Sequence, residues 1–184
     1  MLDLDANPRF RVLFLIARRR VAFGFLVACV GFGCAEPTWF SLSVGGLVAV
    51  GGECVRIWAA GHLVKGKEVT ISGPYRICRH PLYFGSVVIG VGFVVAASSP
   101  LVAGVIFSYL GLMIPVAIRL EEATLSATFG NLYTDYVRGN VRQSGRQFSL
   151  KRVGHNGEYL AVSGLLLSIF IIGVKAWWAN GYPF

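Results

Sequence analysis

From Leu82 to Ile118 the sequence carries no charged residue. About 20 apolar residues in a helix cross the hydrocarbon of a bilayer. The run is too long for one span, and Ser98-Ser99-Pro100 interrupts it near the middle, so it reads as a helical hairpin. The glycines at 85, 90, 92, 104 and 111 are expected to let its arms and their neighbours approach closely, as small residues do where membrane helices pack.

The rest of the chain matches this solvent. Hydrophobic residues make up 55% and charged residues 14%, and the mean hydropathy is +0.64, which does not suit a water-soluble globule. Phe10 to Ala17 is apolar between arginines and reads as an interfacial segment. A first span is expected at 21–35, followed by an exterior turn at Glu36-Pro37-Thr38. A second apolar stretch runs from Trp39 to about Ala60 and carries Glu53 and Arg56 on one helix face. That pair reads as mutually satisfied near a helix end. A last run, 159–174, ends in Lys175, Trp177 and Trp178, which suit the opposite interface. The expectation is an all-α, polytopic integral membrane helical bundle with about five transmembrane helices and a single membrane-embedded domain over 1–184.

Charge placement orients the bundle. Of the 17 lysines and arginines, 16 cluster before the first span, around the second loop or after the fourth span, and Lys175 stands apart. The positive-inside rule then puts the N-terminus in the cytoplasm and the C-terminus on the opposite side. The polar segments 61–81 and 119–157 are both cytoplasmic in this topology. The net charge of +8 does not point to nucleic acid, because the basic residues fall between apolar runs instead of forming one polar surface. Cys29, Cys34, Cys54 and Cys78 form no CxxC pair and have no histidine at zinc-ligand spacing. No metal site and no disulfide framework is expected, and these cysteines read as small, buried apolar residues in or near helices. Arg18, Arg19 and Arg20 before an apolar stretch and Cys34 are similar to a secretory signal. The basic stretch ahead of them, the missing A-x-A-like site and the membrane-like remainder argue against cleavage.

Two segments concentrate chemistry. Ser72 to Gly85 packs two prolines, two arginines, a histidine and glycines beside a span. His80 precedes Pro81, and proline suits the first turn of a helix, so His80 lies near an N-cap. A helix start flanked by Arg79 and His80 can seat an anionic group; equally, Arg79 can snorkel and His80 merely cap. At the second segment Arg119, Glu121 and Glu122 emerge from the fourth span, where carboxylates need partners. Ile118, Glu122, Leu125, Phe129, Leu132 and Tyr136 share a helical stripe if the helix continues, and Glu121 is turned away from it; Gly130-Asn131 can break that register. An Arg119–Glu122 ion pair at i, i+3 is the plainer reading. Phe129, Tyr133 and Tyr136 can wall an adenine or lipid pocket or form core.

Together, Gly73-Pro74-Tyr75, Arg79-His80-Pro81-Leu82-Tyr83, Gly85, Arg119, Glu121-Glu122, Phe129-Gly130, Tyr133 and Tyr136 resemble the isoprenylcysteine carboxyl methyltransferase family. The phospholipid N-methyltransferases are similar as well. The resemblance covers about 45–142, including Arg56 to Gly61 ahead of the GPYxxxRHPxY pattern, with the spans 21–35 and 159–174 flanking it. It implies a methyltransferase with S-adenosylmethionine in a cytoplasmic pocket and a lipophilic acceptor, either a prenyl-type carboxylate or a phospholipid-type amine, entering from the bilayer. By resemblance Arg79, His80, Pro81, Tyr83, Glu121 and Glu122 contact the cofactor, Tyr133 and Tyr136 line the site, and Glu122 and Arg119 are the catalytic candidates. No GxGxxG signature is present, so a Rossmann cofactor site is not expected.

After Tyr136 the sequence stays polar to Asn156 without the proline-containing ending of the eukaryotic carboxyl methyltransferases, which leaves the acceptor open. Two other classes compete. Membrane sterol reductases resemble the same arginine-histidine-proline segment and use NADPH, but they are longer; the Glu121-Glu122 pair favours methyl transfer. A non-catalytic membrane lipid-binding module is the third.

Overall fold

The computed structural model describes residues 19–140 and 145–181. The interfacial segment expected at Phe10 to Ala17 lies outside the described residues. The rest is helical: α1 (Arg20–Cys34), α2 (Trp39–His62), α3 (Pro81–Ala97), α4 (Pro100–Phe129), α5 (Asn131–Val137), α6 (Leu150–His155) and α7 (Glu158–Asn180), with a 3-10 turn at Gly73–Arg76. No strand occurs among the described residues. Every apolar run that falls among the described residues is a helix. By length and composition α2, α4 and α7 can each cross a membrane, whereas the apolar helices α1 and α3 are shorter. Large side chains such as Phe40, Leu47 and Trp178 stay exposed, as a lipid-facing surface requires and water does not tolerate. The fold is that of a helical integral membrane protein.

Local chemistry sets the helix ends. Thr38 and Ser41 form a reciprocal capping box at the start of α2, with the Ser41 N–H donating to Thr38 Oγ1 at 3.1 Å and the Thr38 N–H to Ser41 Oγ at 3.0 Å. The hairpin turns at Ser98, which takes a left-handed conformation (φ 50°) at the end of α3, and Pro100 opens α4. Proline is favoured there because the first helical N–H has no intrahelical acceptor. Pro115 lies inside α4 without ending it.

The tightest packing is an antiparallel seam between α2 and α3. A Cβ built on Gly45 would lie 2.4 Å from both Ala96 N and Gly92 O, and one on Gly52 would lie 2.8 Å from Gly85 O. Only glycine lets the two backbones touch in this way. The seam corrects the sequence reading in part. Gly85 and Gly92 are close to α2, and Gly90 meets Leu110 of α4, but Gly104 and Gly111 face open space. The four cysteines are also exposed, not buried, so they face the surroundings of the bundle, not its interior.

Side chains tie both ends together. Lys175 Nζ on α7 donates to Phe32 O and Gly33 O at 2.8 and 2.6 Å, capping α1. At the other end the Asn156 amide donates to Ala60 O and Leu63 O at 2.9 and 3.1 Å, and Arg152 Nε donates to Gly61 O at 2.7 Å. These bonds satisfy carbonyls that the end of α2 leaves without helical partners. Phe148 packs against Gly61, where a Cβ would come within 2.2 Å of its ring.

Candidate functional site

Two segments far apart in sequence meet at one end of the α3–α4 hairpin. His80 occupies the position before α3 without capping it: no side chain caps this helix start, and Pro81 fills its first position. The imidazole turns toward α4, with Nε2 at 3.1 Å from Glu122 Oε1. Arg79 Nη1 stands 3.8 Å from the same oxygen. The capping role is therefore not what the His80 ring does. The Arg119–Glu122 pair also fails to form; Arg119 is exposed and has no ion-pair or hydrogen-bond partner among the described residues, while Glu122 reaches across to the histidine.

Aromatic residues surround this cluster. The His80 and Tyr83 rings lie 6.0 Å apart, and Tyr133 and Tyr136 6.2 Å apart. Gly130, at φ 51°, ends α4 and starts α5. The break keeps the Glu122 stripe intact to Phe129 and re-aims the side chains of α5: Leu132 is exposed, and Tyr133 is buried instead. Tyr136 Oη donates to Tyr75 O at 3.0 Å, fastening α5 to the 3-10 turn. Gly73, at φ 58°, packs against the His62 ring, where a Cβ would come within 2.5 Å. His62 Nδ1 in turn pairs with Ser72 Oγ at 3.2 Å, so the segment before His80 rests on the end of α2.

The tyrosines report the field of the cluster. Burial, reinforced by the Glu122 carboxylate and opposed by Arg79, pushes the Tyr133 hydroxyl up to about 12. Burial raises Tyr136 as well, again against Arg79. Tyr75 is raised by burial first, then by Glu121, Tyr136 and Glu158. Glu121 thus acts on the Tyr75 side while Glu122 bonds His80, as the angular difference between neighbouring helix positions requires. Tyr133 Oη is buried without a hydrogen-bond partner. The site offers carboxylates, a guanidinium, an imidazole, an orphan hydroxyl and uncapped amides at the start of α3.

The Glu53–Arg56 reading needs correction. Arg56 Nη2 donates to both oxygens of Glu158 at 2.9 and 3.1 Å and Nη1 donates to Ser86 Oγ at 2.7 Å. Glu53 Oε2 is 3.5 Å from Arg56 Nε in ion-pair contact, yet neither Glu53 oxygen has a hydrogen bond. Sequence reasoning misses Glu158 because it precedes the apolar run. A carboxylate in the first turn of a long apolar helix is the signal that could have found it.

Among proteins of known character, a family model described as phospholipid methyltransferase matches residues 20–132. The nickel-cobalt-cadmium resistance protein NccN of Alcaligenes xylosoxydans xylosoxydans is 35% identical over 108 residues, 56% of this chain and 50% of that protein. The cobalt-zinc-cadmium resistance protein CzcN of Cupriavidus metallidurans is 32% identical over 126 residues, 65% of this chain and 58% of that protein. The chain thus spans between half and three fifths of the length of these curated relatives. No solved structure matches it. The match covers α1 through the start of α5 and includes Arg79, His80 and Glu122, with Tyr133 and Tyr136 just past its end: this chain belongs to the phospholipid methyltransferase family.

Proposed function

We propose that this membrane methyltransferase family member uses S-adenosylmethionine to methylate a lipid-like acceptor from a cytoplasmic site. The observation that carries the reading is the contact of His80 and Arg79 with Glu122, which unites two motifs 42 residues apart. The donor set suits a zwitterionic amino-acid nucleoside. Arg79 and the uncapped Leu82 amide, next to Tyr83 at the start of α3, suit a carboxylate. Glu122 and Glu121 suit an ammonium or ribose hydroxyls, and the Tyr133 and Tyr136 rings suit an adenine face. Pro81 fixes the helix start so that these groups keep their positions. Bound there, S-adenosylmethionine supplies an electrophilic methyl group on a sulfonium.

The residues then have three tasks: to align donor and acceptor, to hold charge and to exclude water. A carboxylate acceptor needs no base. An amine acceptor loses a proton, and Glu122 or His80 is placed to take it. Arg119, exposed on α4 outside the cluster, is proposed to meet an anionic part of the acceptor. In this reading the chain is one membrane-embedded unit with its core at about 45–142, the N-terminus cytoplasmic and the C-terminus opposite. A reporter fused at Phe184 should appear outside the cytoplasm, and a cytoplasmic signal would overturn that topology.

Calorimetric titration of the detergent-purified protein tests the cofactor. Saturable binding of S-adenosylmethionine and not NADPH is expected. NADPH binding alone would favour a reductase, and binding of neither a lipid-binding module. The relatives' names suggest that the methylated product serves metal resistance; a deletion strain should then be more sensitive to cobalt or cadmium, with rescue by the wild-type chain and not by Glu122→Ala.

A further inference from the structure

Arg56 joins three helices. Its stem lies on the backbone of α3, where a Cβ on Gly85 would come within 2.6 Å of Arg56 Cγ. Nη1 donates to Ser86 Oγ at 2.7 Å, and Nη2 donates to both Glu158 oxygens at 2.9 and 3.1 Å. Glu53 Oε2, in ion-pair contact with Nε at 3.5 Å, holds the same guanidinium from its own helix. Ser86 passes the line of bonds on: its hydroxyl donates to Leu82 O at 3.0 Å, and a hydroxyl that accepts from a cation is the stronger donor for it. The bonds therefore run from α2 into the first turn of α3, two residues past His80.

The far anchor is fixed as well. Glu158 opens α7 and is 6% exposed, where a carboxylate suits the positive end of the helix. Arg152 and Asn156, just before it, bond carbonyls at the end of α2, so the start of α7 is tied to the helix that carries Arg56. Glu158 and Glu121 both act on Tyr75, so this network and the His80–Glu122 cluster share that ring as a neighbour. A buried ion pair adds little net stability, since desolvation offsets its attraction, whereas two parallel bonds to one carboxylate fix direction. We propose that Arg56, steadied by Glu158, is a positioning residue that acts through Ser86 to set the first turn of α3 for cofactor binding. The proposal rests on the methyl-donor reading above. Because α7 lies beyond the matched residues 20–132, it makes the helix that supplies Glu158 part of the working unit.

Nuclear magnetic resonance of the full chain in detergent, labelled with 15N at histidine, tests the geometry without ligand. The His80 ring resonance, identified by its loss in His80→Gln, should move in Ser86→Ala and in Glu158→Gln. It should return in Ser86→Thr, which keeps the hydroxyl; Ser86 lines a cavity of about 280 Å³ with room for the added methyl. The Ser86→Ala, Glu158→Gln double variant should move it no further than Ser86→Ala alone, because both act along one path. A purely stabilising role would leave the resonance of the folded protein in place. In calorimetry, S-adenosylmethionine affinity should fall about 2- to 30-fold in Ser86→Ala and Glu158→Gln, the range for side chains that act through others. An unmoved His80 resonance in Ser86→Ala overturns the proposal, and so does unchanged affinity in that variant when the wild-type chain binds S-adenosylmethionine. A wild-type chain that binds none, with the resonance shifts present, leaves the positioning role standing and rejects the donor reading. If Glu158→Gln fails to fold, Ser86→Ala and Ser86→Thr still decide.

Discussion

Gly45→Ala should destabilise the bundle because α2 and α3 meet there backbone to backbone. The added methyl would sit 2.4 Å from Ala96 N and Gly92 O, whereas ordinary contact begins at 3.4 Å. Neither atom belongs to a flexible side chain, so the seam must open by about 1 Å, a gap that forfeits a quarter to a half of each dispersion contact along it. Overpacking of this kind costs about 1–3 kcal/mol. The control is Gly104→Ala on α4, where the methyl meets nothing within 4 Å and helix propensity gains up to about 1 kcal/mol. Both positions are helical, so that gain is shared, and the two variants should differ by about 1–3 kcal/mol, or about 2–12 °C in apparent Tm at 2–4 °C per kcal/mol. Thermal unfolding in one detergent, followed by tryptophan fluorescence, measures this. A Gly45→Ala protein that melts no lower than Gly104→Ala would refute the seam as the tightest contact in the bundle.

At the cluster, Glu122→Gln should reduce S-adenosylmethionine affinity at least about tenfold by removing a charge-assisted partner, while Arg119→Ala leaves cofactor affinity within about twofold; titration calorimetry separates them, and equal losses would contradict the geometry. Tyr133→Phe removes a buried hydroxyl that has no partner, so the cofactor-free protein should be unchanged or stabilised by up to about 1 kcal/mol yet bind the cofactor more weakly; destabilisation would show that the hydroxyl is already satisfied. The same hydroxyl, pushed up to about 12 by burial against about 10 unfolded, stays protonated in the fold while the unfolded chain ionises. Its contribution is complete below pH 10 and falls as pH rises through about 12, a slope Tyr133→Phe should flatten in alkaline unfolding. Asn156→Ala deletes both amide bonds to the end of α2 and should cost about 1–3 kcal/mol, read as a lower melting temperature.

Hydropathy made the helices legible because lipid rewards long apolar runs whatever they pack against. The Ser98-Ser99-Pro100 break is local chemistry and could be read directly. Partner choice could not: Glu122 pairs with His80 instead of Arg119 because the hairpin brings the start of α3 beside α4, a long-range fact absent from i, i+3 spacing. Gly104 and Gly111 have the same composition signal as Gly85 and Gly92 but lie on faces without a neighbour. Arg56 found Glu158 for the same reason, since α7 packs against α2 only after the chain has returned across the bundle. The cluster residues themselves were legible through the resemblance, and their geometry was not.

The unequal lengths of the hairpin arms shape access to the cluster. From the turn at Ser98, α3 runs back 17 residues to Pro81, while α4 runs on for 30, rises of about 26 and 45 Å at 1.5 Å per residue. The last two turns of α4 therefore stand beyond the level of His80 as a parapet. The Tyr136–Tyr75 bond then ties α5 to the 3-10 turn that precedes His80. Glu122 keeps 34% of its side chain exposed and Arg79 52%, so on the proposed reading a ligand has open contact with both ends of the ion pair.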